Sequence, residues 1–99
     1  MRVISIRTLR DFWGQSIYAN SEQPLKAWYK EAVKADWESW TEIKEQYRNA
    51  SPVKNSRVVF NIHGNTYRLV VKINYPFRTV YIRFIGTHEQ YDAINVETI

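Results

Sequence analysis

Residues 57–85, RVVFNIHGNTYRLVVKINYPFRTVYIRFI, decide the fold. Three runs within this stretch, 57–62, 67–73 and 79–85, are rich in β-branched and aromatic residues and alternate in character, as strands do. His63-Gly64-Asn65 forms a tight turn between the first two, and Asn74-Tyr75-Pro76-Phe77-Arg78 a longer one before the third. Connections this short join antiparallel neighbours, so the stretch reads as a meander.

Side chains alternate across a strand, which divides the meander into two unlike faces. Val58, Phe60 and Ile62, then Tyr67, Leu69, Val71 and Ile73, then Val80, Ile82 and Phe84 make one face apolar but for a phenol. This is the face that helices should cover. The opposite parity gives Arg57, Val59 and Asn61, then Arg68, Val70 and Lys72, then Thr79, Tyr81 and Arg83. Four cations and an aromatic ring therefore share a face. A solvated face normally mixes signs, and like charges this close repel unless an anion sits among them. Phosphate backbone suits such a face, and Tyr81 offers a ring on which a base can stack.

Upstream, RVISI (residues 2–6) reads as a first strand. Thr8 is placed to cap a helix through LRDFWGQSIYA, with Leu9, Phe12, Trp13 and Ile17 on one side and Gly14 weakening it. Ser21 and Pro24 mark a second helix start, followed at helical spacing by Leu25, Trp28, Tyr29, Ala32, Val33 and Trp37. Thr41-Glu42-Ile43 suggests one more short helix. The four Trp are expected to pack helices onto the sheet. The order is α+β: strand, helices, three strands and a short C-terminal helical turn, as one domain over residues 1–99.

Charge follows the same division. The chain has a net charge of +4, and residues 1–45 are close to balanced. Between Glu45 and Glu89 stand Arg48, Lys54, Arg57, Arg68, Lys72, Arg78 and Arg83 with no acidic residue, a pattern that points to a polyanion. The chain has no cysteine, which excludes disulfides and thiolate metal sites. With only His63 and His88, no metal-ligand spacing is present, and no cofactor motif is found. MRVISIRTLRDFW lacks the apolar core of a signal peptide, and no run reaches the roughly 20 apolar residues of a membrane span. A cytoplasmic protein is expected.

After the last strand comes Gly86-Thr87-His88-Glu89-Gln90-Tyr91-Asp92. Thr87 and Gln90 have the spacing of a capping box. The same placement puts His88 and Tyr91 beside the cationic face, where a histidine can transfer protons near neutral pH.

From Arg57-Val58-Val59-Phe60-Asn61-Ile62 through Gly64-Asn65, Tyr67-Arg68-Leu69-Val70 and Tyr81-Ile82-Arg83 to Thr87-His88 and Tyr91-Asp92, the chain resembles the HigB family of toxins. Leu25-Lys26-Ala27-Trp28-Tyr29 extends the likeness, which spans nearly the whole sequence. The family belongs to the RelE/ParE-like toxin superfamily. The resemblance implies helices packed on one face of a mainly antiparallel sheet. It also implies cleavage of mRNA at the translating ribosome and neutralisation by a helix-turn-helix antitoxin of the HigA type. Arg68, Arg83, His88 and Tyr91 match places that such nucleases commonly use, with Lys72 beside them. Lys54, Arg57, His63, Arg78 and Tyr81 are expected to contact the RNA. The base is either His88 or Tyr91. Two alternatives stand beside the nuclease: a ParE-like poison of DNA gyrase, and an RNA-binding domain without catalysis.

Overall fold

The alternating runs form the centre of a five-stranded mixed sheet in the computed structural model, which describes residues 1–99. The strands are β1 (Arg2–Ile4), β2 (Ser51–Val53), β3 (Arg57–Ile62), β4 (Tyr67–Asn74) and β5 (Thr79–Thr87), in spatial order β1-β5-β4-β3-β2. The meander β3-β4-β5 is antiparallel, as expected, and β1 pairs parallel to β5. β2 was not legible in the sequence. It holds only three residues, one of them Pro52, which an edge strand tolerates because its missing N–H is not needed on the open side. In the hairpin between β3 and β4, His63 and Gly64 both take left-handed backbone (φ 54° and 63°), the conformation that a tight turn between twisted strands requires.

Four α-helices pack on this sheet: α1 (Ile6–Trp13), α2 (Glu22–Lys34), α3 (Trp40–Gln46) and α4 (His88–Asp92). The first helix is shorter than its apolar spacing predicts. It starts after Ser5 rather than at Thr8 and stops at Gly14, and a 3-10 helix (Ser16–Ser21) follows. The tighter winding turns Ile17 outward to 74% exposure, and Tyr18 instead stacks on Phe12 at 4.3 Å. In α2, Leu25, Trp28 and Ala32 are buried as expected, but Val33 lies exposed.

The core forms where α1, α2 and α3 meet the apolar sheet face. Phe60 is at its centre, ringed by Trp28 (5.4 Å between ring centroids), Tyr47 (5.0 Å) and Trp37 (6.2 Å). Trp28 and Trp37 are buried, and Trp13 and Trp40 pack half-buried against the same core, so all four tryptophans join helices to sheet. Tyr47 donates its hydroxyl hydrogen to Glu31 at 2.6 Å. Burial, then this bond, then the Glu31 charge push the Tyr47 phenol well above its ordinary value of 10.0. A raised phenol keeps its proton when folded and loses it near pH 10 when unfolded, so folding is unaffected below that pH and weakens above it. Tyr47→Phe should flatten the loss of stability above about pH 10, measured as urea midpoints across that range.

One expectation for the core fails at β5. The β4–β5 ladder shifts register between Val70 and Val71, pairing Val71 with Ile82 and Val70 with Phe84. Arg83 is the extra residue of this bulge, and the parity of β5 inverts beyond it. Ile85 therefore enters the core in place of Phe84, which is turned to the opposite face.

Candidate functional site

The face opposite the helices is less open than its residues suggest. Arg57 is only 7% exposed. Its guanidinium donates to the backbone oxygen of Ile99 through Nε (2.8 Å) and Nη2, and to the Asn55 carbonyl at 3.3 Å. Asn55 also donates to the Glu97 carbonyl. The segment after α4 thus crosses the sheet from the end that carries His88 to the end that carries Arg57. Its Ile94, Val96 and Ile99 are half-buried while Asn95, Glu97 and Thr98 are exposed. Val59 and Val70, on this same face, are buried outside the main core. The expected place of Arg57 on an open cationic face is therefore corrected: its charge is covered by the C-terminal segment.

Arg78 is corrected for a different reason. It occupies left-handed backbone (φ 52°) in the turn before β5. Its guanidinium pairs with Asp36 at 2.6 Å and Glu38 at 2.9 Å, and also donates to the Tyr75 carbonyl. Its pKa is raised, first by the bond to Asp36, then by the charges of both carboxylates. The acids missing around Arg78 in the sequence are supplied in space by the segment between α2 and α3.

The remaining cations form two groups along the sheet. Arg68 and His88 meet at one end, where Arg68 Nη2 lies 3.5 Å from His88 Nδ1. A guanidinium has hydrogens and no acceptor, so any hydrogen bond in this contact runs from Arg68 to Nδ1. Gly86 is paired directly across from Arg68. A Cβ on Gly86 would meet Phe84 Cζ at 2.5 Å and Gln90 Oε1 at 2.6 Å, so any side chain here must displace the Phe84 ring and the Gln90 amide. The second group lies toward the other end. Arg57, Lys72 and Tyr81 form one cross-strand row, and the Arg83 guanidinium sits 5.7 Å from the centre of the Tyr81 ring. Lys72 is four residues along β4 from Arg68, about 13 Å at strand rise, so it does not reach His88. Arg68, Lys72 and Arg83 form no ion pair.

The capping box is present. Thr87 Oγ1 accepts from Gln90 N at 3.2 Å, and Thr87 N donates to Gln90 Oε1 at 2.9 Å. It fixes the first turn of α4, and with it the backbone position of His88. Tyr91 packs at a tilt against Phe84, 6.5 Å between centroids, an arrangement that depends on the bulge at Arg83. Gln90 also donates to the Tyr18 hydroxyl at 2.9 Å, which ties α4 to the stacked Phe12 and Tyr18 rings. Gly86, Gln90 and Tyr18 therefore position α4; the cap by Gln90 is the one expected from the sequence, while the parts of Gly86 and Tyr18 are not. His63 is exposed in the hairpin turn at the same end of the sheet as His88, and Lys54 is exposed in the turn before β3 at the other end.

The arrangement offers an uncompensated cation beside an imidazole, with a phenol on the same short helix and further cations along the sheet. It can bind a phosphodiester and move a proton beside it. Gly86→Ala should displace the Gln90 amide, weaken the cap by about 1 kcal/mol, and turn His88 away from Arg68. Chemical denaturation checks the first effect, and the chemical shifts of the His88 ring check the second.

No helix is long and apolar enough to cross a membrane. No curated protein matches the chain. A family model, HigB_toxin, described as the RelE-like toxic component of a toxin-antitoxin system, matches residues 21–94.

Proposed function

The chain belongs to the HigB family of RelE-like toxins, which makes it the toxic component of a toxin–antitoxin system with an antitoxin as its partner, and we propose that it acts as an endoribonuclease on mRNA. The observation that carries this proposal is the contact between Arg68 and His88 on a sheet face whose free cations lack carboxylate partners.

The proposed reaction needs no metal. The 2′-hydroxyl of a nucleotide attacks the adjacent phosphorus, its proton passes to a base, and the bond to the 5′-oxygen breaks as that oxygen takes up a proton. The products are a 2′,3′-cyclic phosphate and a 5′-hydroxyl. The Arg68 fork stabilises the charge that grows on the phosphate oxygens. His88 and Tyr91 are the proton-transfer groups. Lys72, Arg83 and Tyr81 guide the strand along the sheet, with Lys54 and His63 as outlying contacts. The substrate is mRNA on the translating ribosome in the cytoplasm, and the antitoxin is of the HigA type.

Induction without antitoxin, followed by mapping of cellular mRNA 5′ ends, tests this function. Cuts in frame with codons are expected. Growth arrest with intact mRNA and broken DNA would replace the nuclease with a gyrase poison.

A further inference from the structure

β2 pairs with only the first half of β3, from Arg57 to Val59, so the edge of β3 from Phe60 to Ile62 has no strand beside it. A cleft opens there between the edge and the turn after α3. Gln46, Tyr47, Arg48, Asn49, Phe60 and Asn61 line it. Three features give the cleft a chemistry. Asn61 lies directly opposite Arg68 in the β3–β4 ladder, with Cα atoms about 5 Å apart. The cleft is therefore one strand away from the contact between Arg68 and His88. The Asn61 amide nitrogen donates to the Asn49 carbonyl at 3.2 Å, which fixes the orientation of the amide. Its Oδ1 is buried and has no partner, an arrangement that costs free energy until a donor arrives. Tyr47 has its hydroxyl committed to Glu31, which leaves its ring as the part that can line the cleft.

Building on the nuclease reading, we propose that this cleft is a nucleobase subsite for the nucleotide adjoining the scissile phosphate, with guanine preferred. Guanine offers N–H groups to the unpaired Asn61 oxygen. Its O6 and N7 form the acceptor pair that an arginine fork matches, and Arg48 stands in the cleft wall. The Tyr47 ring gives the base an aromatic surface. Arg48 and Asn49 are exposed around a turn, while Gln46 Oε1 accepts from the Trp37 indole at 3.0 Å, so admitting a ring to the buried Asn61 oxygen calls for Arg48 and Asn49 to turn outward.

The test is an NMR titration of the full chain with GMP, AMP, CMP, UMP and ribose 5-phosphate, read at the side-chain amides of Gln46, Asn49 and Asn61. GMP should shift all three and bind at least about tenfold tighter than the other ligands. Arg48→Ala, at an exposed position, and Asn61→Ala should each erase that preference. In mRNA cut by either variant, enrichment of guanine at one fixed position from the cut should fall by about tenfold. Equal shifts with all five ligands, or amides that stay still, would overturn the subsite. Docking of GMP with RNA left uncut would sink the nuclease and leave the subsite standing. Cleavage without base preference, and with unmoved amides, would do the reverse.

Discussion

Arg68→Ala is expected to slow RNA cleavage by roughly 30- to 1000-fold, equivalent to about 2–4 kcal/mol of transition-state stabilisation. The size follows from what Arg68 is placed to do. It is half-buried in the middle strand of the meander, forms no ion pair, and touches His88. On the proposed mechanism, removing it takes away both the fork for the phosphate and the side chain that touches His88. The loss should fall on kcat more than on KM, because the interaction strengthens as charge develops on the phosphate. Arg68→Lys should recover little, since a point charge has neither the fork nor the reach to Nδ1. The thermal transition should move little in either variant, which separates a catalytic loss from a folding loss. A variant that cuts RNA at the normal rate would remove Arg68 from the site.

The second large effect is on stability. Phe60→Ala is expected to cost about 3–5 kcal/mol, a large share of the roughly 5–15 kcal/mol that holds a domain of this size together. Phe60 is 1% exposed and packs against Trp28, Trp37 and Tyr47, which come from three separate stretches of the N-terminal half. No neighbour can close that cavity without dragging a helix. The melting temperature should fall by about 4–8 °C for each kcal/mol lost, and Phe60→Leu should fall less far. A Phe60→Ala chain that melts like the parent would mean that the aromatic cluster is not what joins helices to sheet.

These two residues show how much could be read before folding. Phe60 and Arg68 were assigned to opposite faces by alternation alone, and both assignments hold because β3 and β4 pair without a break around them. The same rule failed at Phe84, where a single bulged residue inverts everything after it and nothing local announces it. Arg57 and Arg78 failed through distance. The groups that neutralise or cover them, Ile99 for one and Asp36 and Glu38 for the other, lie about forty residues away in the chain. A charge count along a sequence window cannot see them. Ile17 was misplaced because a helix that stops at Gly14 no longer continues its spacing. The capping box at Thr87 and Gln90 was legible because all its atoms are local, but the Tyr18 hydroxyl that steadies Gln90 is not.

The central claim, metal-independent cleavage by the 2′-hydroxyl at the site of Arg68 and His88, meets its most direct test in the ends of the products. Purified chain should be given ribosome-bound mRNA long enough for a single round of cutting, then the ribosomes dissociated and the fragment termini determined, with His88→Ala alongside. The proposed mechanism predicts 2′,3′-cyclic phosphates paired with 5′-hydroxyls, and a strong loss of both in the variant. Fragments ending in 3′-hydroxyls and 5′-phosphates would mean that water attacks instead, and mRNA that stays whole would contradict the nuclease altogether.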